Sequence, residues 1–348
     1  MNEMLASRRT IQSVADDYRS LIADTLPIAR ALVRGREMMV EEGKEATGQN
    51  SRIAETWICT AHQGTLDKLE RFFVGNGPFS DLEIVGNARN LFENLVWCRL
   101  FQIEIGYGLI FFEQFLREHI ESTEAHIAKV DSEIALFEQL ELTESKQIQE
   151  LASQLKSQKI TVDQFTEQLD RNSKSVDRRA RLAFAIYGPM AEINGYGYQR
   201  HLLAQSVKPK LHENLLALQS QLASLQATLP SSSRTLMTAI GQAGRVNWRK
   251  AATLINLGHE YDYVYSFASK ILHSKAISTV PNGHLNDLEA VLMFEYAYIA
   301  AERILDCVRN SPLPGIAEIA VINLDQEESV GPLVGSGLVL DAEAGKGE

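Results

Sequence analysis

Cysteine is scarce in this chain: three in 348 residues, Cys59, Cys98 and Cys307, all far apart. Three thiols cannot all pair within one chain, which argues against a disulfide framework and for a reducing cytoplasm. Glycine and proline are sparse until the last forty or so residues, and strand and helix patterns do not alternate, which disfavours a parallel-sheet fold. Long apolar runs are missing as well. The most apolar stretch, residues 100–116, is interrupted by Glu104 and Glu113, well short of the ~20 residues a membrane-spanning helix needs. Basic excess is absent too: the net charge is -11 with a pI near 5.3. That argues against a protein coated in nucleic acid, although it leaves room for a local basic patch. The first twenty residues carry no apolar core of signal-peptide type, so a soluble, cytoplasmic protein is expected, with no membrane partner. The phosphate-binding glycine loop, the dinucleotide fingerprint, the zinc-protease helix and the nucleophile elbow are not found, and neither a cofactor nor a metal is expected.

What the sequence does have is helix. Hydrophobic residues make up 45%, enough for a large core. Residues 1–75 follow a helical period, with Ile53, Trp57, Leu66, Leu69 and Phe73 on one side. A loop at 75–81 ends in Ser80 or Asp81, either of which can cap the next helix. The segment "NARNLFENLVWCRLF" is apolar nearly all round, as a buried helix would be. Gly106 and Gly108 mark a break, and the helix that follows runs from apolar into charged sequence, as if leaving the core for solvent.

From about 131 to 182 the chain is rich in Glu, Gln, Lys and Ser, with leucines spaced as in helices that pack on one another, coiled-coil fashion. Thr161 with Gln164 three residues on reads as a capped helix start. This region is expected to be an inserted helical hairpin arm, able to recognise a protein partner or a second copy of the chain. The helical core is expected to occupy 1–130 and 183–310, followed by a flexible acidic tail at 311–348 in which "IAEIAVINL" could add a strand. Asn247 caps a short helix that ends before Gly258. The fold class is therefore all-α: a helical bundle core with a charged hairpin inserted into it.

Several clusters could carry chemistry. Cys59 and His62 stand three apart on a helix, but no second ligand pair is near in sequence, and a structural zinc needs four. His119 and His126 are seven apart, too far to grip one ion from one helix. The segment "NGYGYQRH" (194–201) reads as a break between helices or a binding loop. Residues 171–181 hold five basic side chains and one acidic, a net +4 patch that could meet RNA or an acidic surface.

The sharpest candidate is the stretch "GHEYDYVYSFASKILHS". Tyr261, Tyr265, Ser269 and His273 recur every four residues, which on an α-helix makes a polar stripe bordering the apolar face. Such a stripe is partly buried and needs partners. Arg89 and Glu93, one turn apart on the very apolar helix, can supply them. A histidine held in that network could act as acid or base, or the network could do no more than fix how two helices dock.

These spaced residues, Arg89, Glu93, Trp248, Tyr261, Tyr265, Ser269 and His273, resemble the pattern of an uncharacterised bacterial all-helical family, domain of unknown function 5677, over roughly residues 85–275. A weaker similarity is to the HEPN-type helical ribonucleases, which use Arg-x-x-x-x-His at a dimer interface. Here Ala268 stands where that arginine would be, although Arg89 could bring the charge from another helix. Two readings follow. One is a scaffold or interaction protein, in a bacterial stress or defence context, with the stripe serving structure. The other is a ribonuclease with His273 as general acid or base, Arg89 stabilising phosphate, and Glu93, Tyr265 and Ser269 completing the site.

Overall fold

The computed structural model describes residues 10–47, 52–72, 79–242, 245–268 and 285–313. The protein is all-α. Among the described residues the only sheet is a hairpin of two short strands, Gly241–Gln242 paired antiparallel with Arg245–Val246.

The body is built from α1 (Ile11–Thr47), α2 (Ile53–Arg71), α3 (Asp81–Ile103) and the first part of α4 (Tyr107–Lys156), closed by α12 (Asp287–Arg309). The α12 helix lies against both α3 and α1, and α2 bridges α1 to α4. Local chemistry sets the boundaries. The Ser80 hydroxyl accepts the Glu83 N–H at the start of α3, and Asn286 forms a reciprocal capping box with Glu289 at the start of α12. Each cap satisfies backbone N–H groups that the first helical turn would otherwise leave without partners. Leu91, Phe92, Leu95 and Phe101 of α3 meet Phe294, Ile304 and Val308 of α12 in one continuous core. Polar groups inside it are tied down. The Tyr18 hydroxyl donates to the Leu69 carbonyl at 2.9 Å. Arg36 donates to the carbonyls of Val308 and Arg309, so that a cation from α1 caps the C-terminal end of α12.

Gly106 and Gly108 stand where α3 gives way to α4. At Gly108 a Cβ would come within 2.3 Å of the Ala54 carbonyl oxygen, so glycine lets α4 lie directly on α2. The α4 helix then runs for 50 residues, about 75 Å at the α-helical rise. Its far half leaves the body and joins a second apolar cluster: Val130, Phe137 and Leu140 pack with Val176 and Ala180 of α5 (Val162–Leu182). The turn between them places Gln158 in the left-handed region, and the capping box of Thr161 with Gln164 starts α5.

Ala191, Tyr196 and Leu203 also sit in this second cluster. The layer packed on the arm thus continues past residue 182, through α6 (Gly188–Asn194), α7 (Tyr196–Leu202), a π-helical turn at Leu203–Val207, and α8 (Lys208–Thr228), which returns along α4. Next come α9 (Ser231–Ile240), the hairpin, and α10 (Trp248–Leu254), capped by Asn247. The residue that ends α10 in the left-handed region is Asn256, not Gly258. Just past α12, Leu313 is buried in the main core. The remainder of the acidic tail, with its "IAEIAVINL" segment, lies outside the described residues. No described helix is long and apolar enough to cross a membrane.

Candidate functional site

Three of the residues singled out from sequence meet. Arg89 and Glu93 lie one turn apart on α3, and the Arg89 Nε donates to Glu93 Oε1 at 3.1 Å. The Arg89 Nη2 donates to the Tyr265 hydroxyl at 3.0 Å, and the guanidinium lies 4.7 Å from the centre of the Tyr265 ring. One cation is thus gripped by an anion, a phenol oxygen and an aromatic face. Tyr261 stacks on Tyr265 at 4.9 Å, and Phe92 and Trp248 pack around the pair. Burial raises the Tyr265 phenol above its ordinary range. Nearby Glu93 adds to that rise, while Arg89 opposes it, and the phenol stays protonated. Burial alone would lower the Arg89 pKa, but Tyr265 and Glu93 more than offset it, so the guanidinium stays charged.

The backbone carrying the tyrosines differs from the sequence expectation. After the short α11 (Gly258–Glu260), residues Tyr261–Tyr265 form a single π-helical turn rather than an α-helix. Such turns recur at functional sites and at strained packing points. Here the wider turn sets the two tyrosine rings nearly parallel, 19° apart. Ser269 and His273, the other two members of the stripe, lie outside the described residues.

No family model matches the chain, nor does any curated protein or solved structure. What the site does is therefore argued from its own chemistry.

The other clusters divide sharply. Cys59 and His62 are both buried in the body, where burial pushes the Cys59 thiol up to about 12 and holds His62 down at about 3. Neither ring nitrogen of His62 has a hydrogen-bond partner among the described residues. That marks a neutral core histidine, edge-on to Phe101. His119 packs at a tilt against Phe115, while His126 reaches the Tyr187 hydroxyl at 3.2 Å. Among the described residues no group of three or more His, Cys, Asp or Glu could hold a metal ion.

Two features were not anticipated from sequence. One is a cleft of 590 Å³ between α2, α3, α4 and α10, into which Glu93 also faces. The other is a surface on the arm. Between residues 182 and 198, six large apolar side chains (Leu182, Phe184, Ile186, Met190, Ile193 and Tyr198) have 53% to 81% of their surface open to solvent. This segment is firmly built. The buried carboxylate of Glu133 on α4 accepts the Ile186 N–H at 2.6 Å and the Tyr187 N–H at 2.9 Å. Arg181 and Glu192 form a two-bond ion pair at 2.8 Å, and the Tyr196 hydroxyl donates to Asp177 at 2.8 Å. Phe184 adopts a left-handed backbone, φ 51°, which a side chain this large rarely takes. The sequence signal was the apolar run "LAFAIYGPMAEI", nearly all of which falls in the segment expected to belong to the helical core, 183–310.

Proposed function

We propose that this chain is a helical interaction protein whose arm docks a protein partner. The observation that supports this most is the set of six exposed apolar side chains between 182 and 198 on a backbone held by Glu133. Large apolar side chains left open to water on a rigid support mark interaction sites, because exposing them gains the isolated chain nothing. Its charge environment selects the partner. Arg178 and Arg179 stand exposed about one turn before Leu182 on α5, so the complement is an amphipathic segment bearing acidic residues beside its apolar face. The Arg89–Glu93–Tyr265 cluster then serves structure by docking the π-turn onto α3. A reducing cytoplasm belongs to the same reading, since Cys59, Cys98 and Cys307 are buried free thiols.

The ribonuclease reading asks Arg89 to hold phosphate. Its Nε and one Nη2 hydrogen are already given to Glu93 and Tyr265, so a phosphate could take that edge of the guanidinium only by displacing one of them. The test compares the full chain with a Phe184→Ser/Ile193→Ser double variant. The interaction reading expects one partner with an acidic amphipathic segment to bind the wild type and not the variant. It expects no RNA cleavage by either the wild type or His273→Ala. Equal partner binding by both proteins, or cleavage that His273→Ala abolishes, would overturn it. Loss of self-association in the double variant would point instead to a second copy of the chain.

A further inference from the structure

All three tryptophans of the chain, Trp57, Trp97 and Trp248, line the single cleft that Glu93 faces. They come from α2, α3 and α10, so the fold gathers them from across the sequence. Their geometry is that of walls meeting at corners. Trp248 stands at 83° to Trp97 with ring centres 6.3 Å apart, and Phe111 at 85° with centres 5.1 Å apart. One face of Trp57 is covered by Phe112, stacked at 4.2 Å. Trp97 also stacks with Phe101, at 23° with centres 5.9 Å apart; the aromatic surface that remains open to the cleft is negative π-surface, which attracts a compact cation shedding its water. The volume of 590 Å³ falls within the range of small-molecule sites.

The charged lining is mostly paired. Arg245 is committed to Glu121 at 2.6 Å and Arg117 to Glu113 at 2.7 Å, while Lys68 meets the neutral Asn94 side-chain oxygen at 3.3 Å. Glu93 is held by Arg89. Glu118 lines the same cleft with neither an ion pair nor a hydrogen bond among the described residues. Partial burial raises its carboxyl above the ordinary range, and the carboxylates of Glu93 and Glu121 raise it further. Glu118 itself reaches solvent, and His119 and Lys68 oppose the rise; carboxylates shifted by such neighbours concentrate where a ligand will compensate them.

We propose that this cleft binds a compact organic cation, an alkylated ammonium group seated against the walls of Trp97 and Trp248 and countered by Glu118. A neutral apolar ligand would leave Glu118 without an ion-pair partner. The site lies on elements other than the arm surface, so its test stands or falls separately from that of partner docking.

The experiment titrates the full chain with choline and, in parallel, with dimethylbutanol, the uncharged isostere in which carbon replaces nitrogen. Intrinsic tryptophan fluorescence is the readout; because every tryptophan lines the cleft, the signal reports on it alone. Choline is expected to give a saturable change and to raise the melting temperature, with the isostere at least about tenfold weaker. Glu118→Gln keeps the shape and removes the charge at a solvent-reaching position. It is expected to keep the wild-type circular dichroism, weaken choline about tenfold, and leave the isostere unchanged. No saturable response to choline, equal affinity for the two compounds, or an unaltered choline affinity in Glu118→Gln would each overturn the proposal.

Discussion

Replacing Arg89 with alanine removes three interactions at once, and their sizes can be bounded from the geometry. The Tyr265 hydroxyl sits on a side chain only 9% exposed, so losing its donor leaves a nearly buried oxygen without that partner, at about 1–1.5 kcal/mol. The guanidinium-over-ring contact adds about 0.5–1 kcal/mol. The one-turn ion pair with Glu93 adds about 0.5 kcal/mol, because the Arg89 and Glu93 side chains are 23% and 27% exposed and water screens them. The sum is about 2–3 kcal/mol. It lies below the cost of breaking a fully buried pair, because these side chains reach the surface. Urea denaturation of wild type, Arg89→Ala, Tyr265→Phe and the double variant measures it. Tyr265→Phe keeps the ring and removes only the hydroxyl, so it should cost about 1 kcal/mol, and the cycle should return a coupling of about 1 kcal/mol. A loss below about 0.5 kcal/mol for Arg89→Ala, or additive single variants, would refute the idea that this cluster docks the π-turn. Arg89→Lys should recover little, since an ammonium cannot serve both partners and stack on the ring.

Burial of His62 holds its folded pKa near 3 against an ordinary 6.5, with Arg36 contributing. The stability gained by keeping the ring neutral is complete above pH 6.5 and drains as pH falls from there toward 3, by up to about 1.4 kcal/mol per pH unit. His62→Phe should flatten that acid-side slope in a series of urea melts, and an unchanged slope would place the acid sensitivity elsewhere. Glu133→Ala strips two backbone N–H groups of their acceptor inside the arm and should cost about 2–4 kcal/mol, with faster hydrogen exchange at the Ile186 and Tyr187 amides; protection equal to wild type would contradict its role as the staple. Limited trypsin digestion should cut first after Lys156 or Lys159, at the exposed turn between α4 and α5, and early cleavage after Arg89 or Arg99 would be inconsistent with that turn's exposure.

Much of the local structure was legible because its causes are local. Ser80, Thr161 with Gln164, and Asn247 announce helix starts through hydrogen bonds that span only three residues. Arg89 and Glu93 were conspicuous because two charges on an apolar helix must find partners, and the tyrosine of the later segment is one. The π-turn was not legible, since the spacing of five residues cannot separate a wider turn from an ordinary one. Nor was the cleft, whose tryptophans come from three distant helices and meet only once α2, α3 and α10 are packed. The arm surface was misleading for a different reason. Leu182, Phe184 and Ile193 have the composition of a core, yet they face solvent, on a segment whose Ile186 and Tyr187 amides are held by Glu133.

The measurement that bears most directly on the interaction reading is site-specific photo-crosslinking in cells of the native host. A photoreactive residue at Ile193, among the exposed apolar side chains, is compared with one at Gln154, also exposed but near the arm's far turn. The account predicts a crosslink from position 193 to one protein, mapped to an acidic amphipathic segment, with none from position 154. Crosslinks of equal yield from both positions, or to RNA rather than protein, would contradict it.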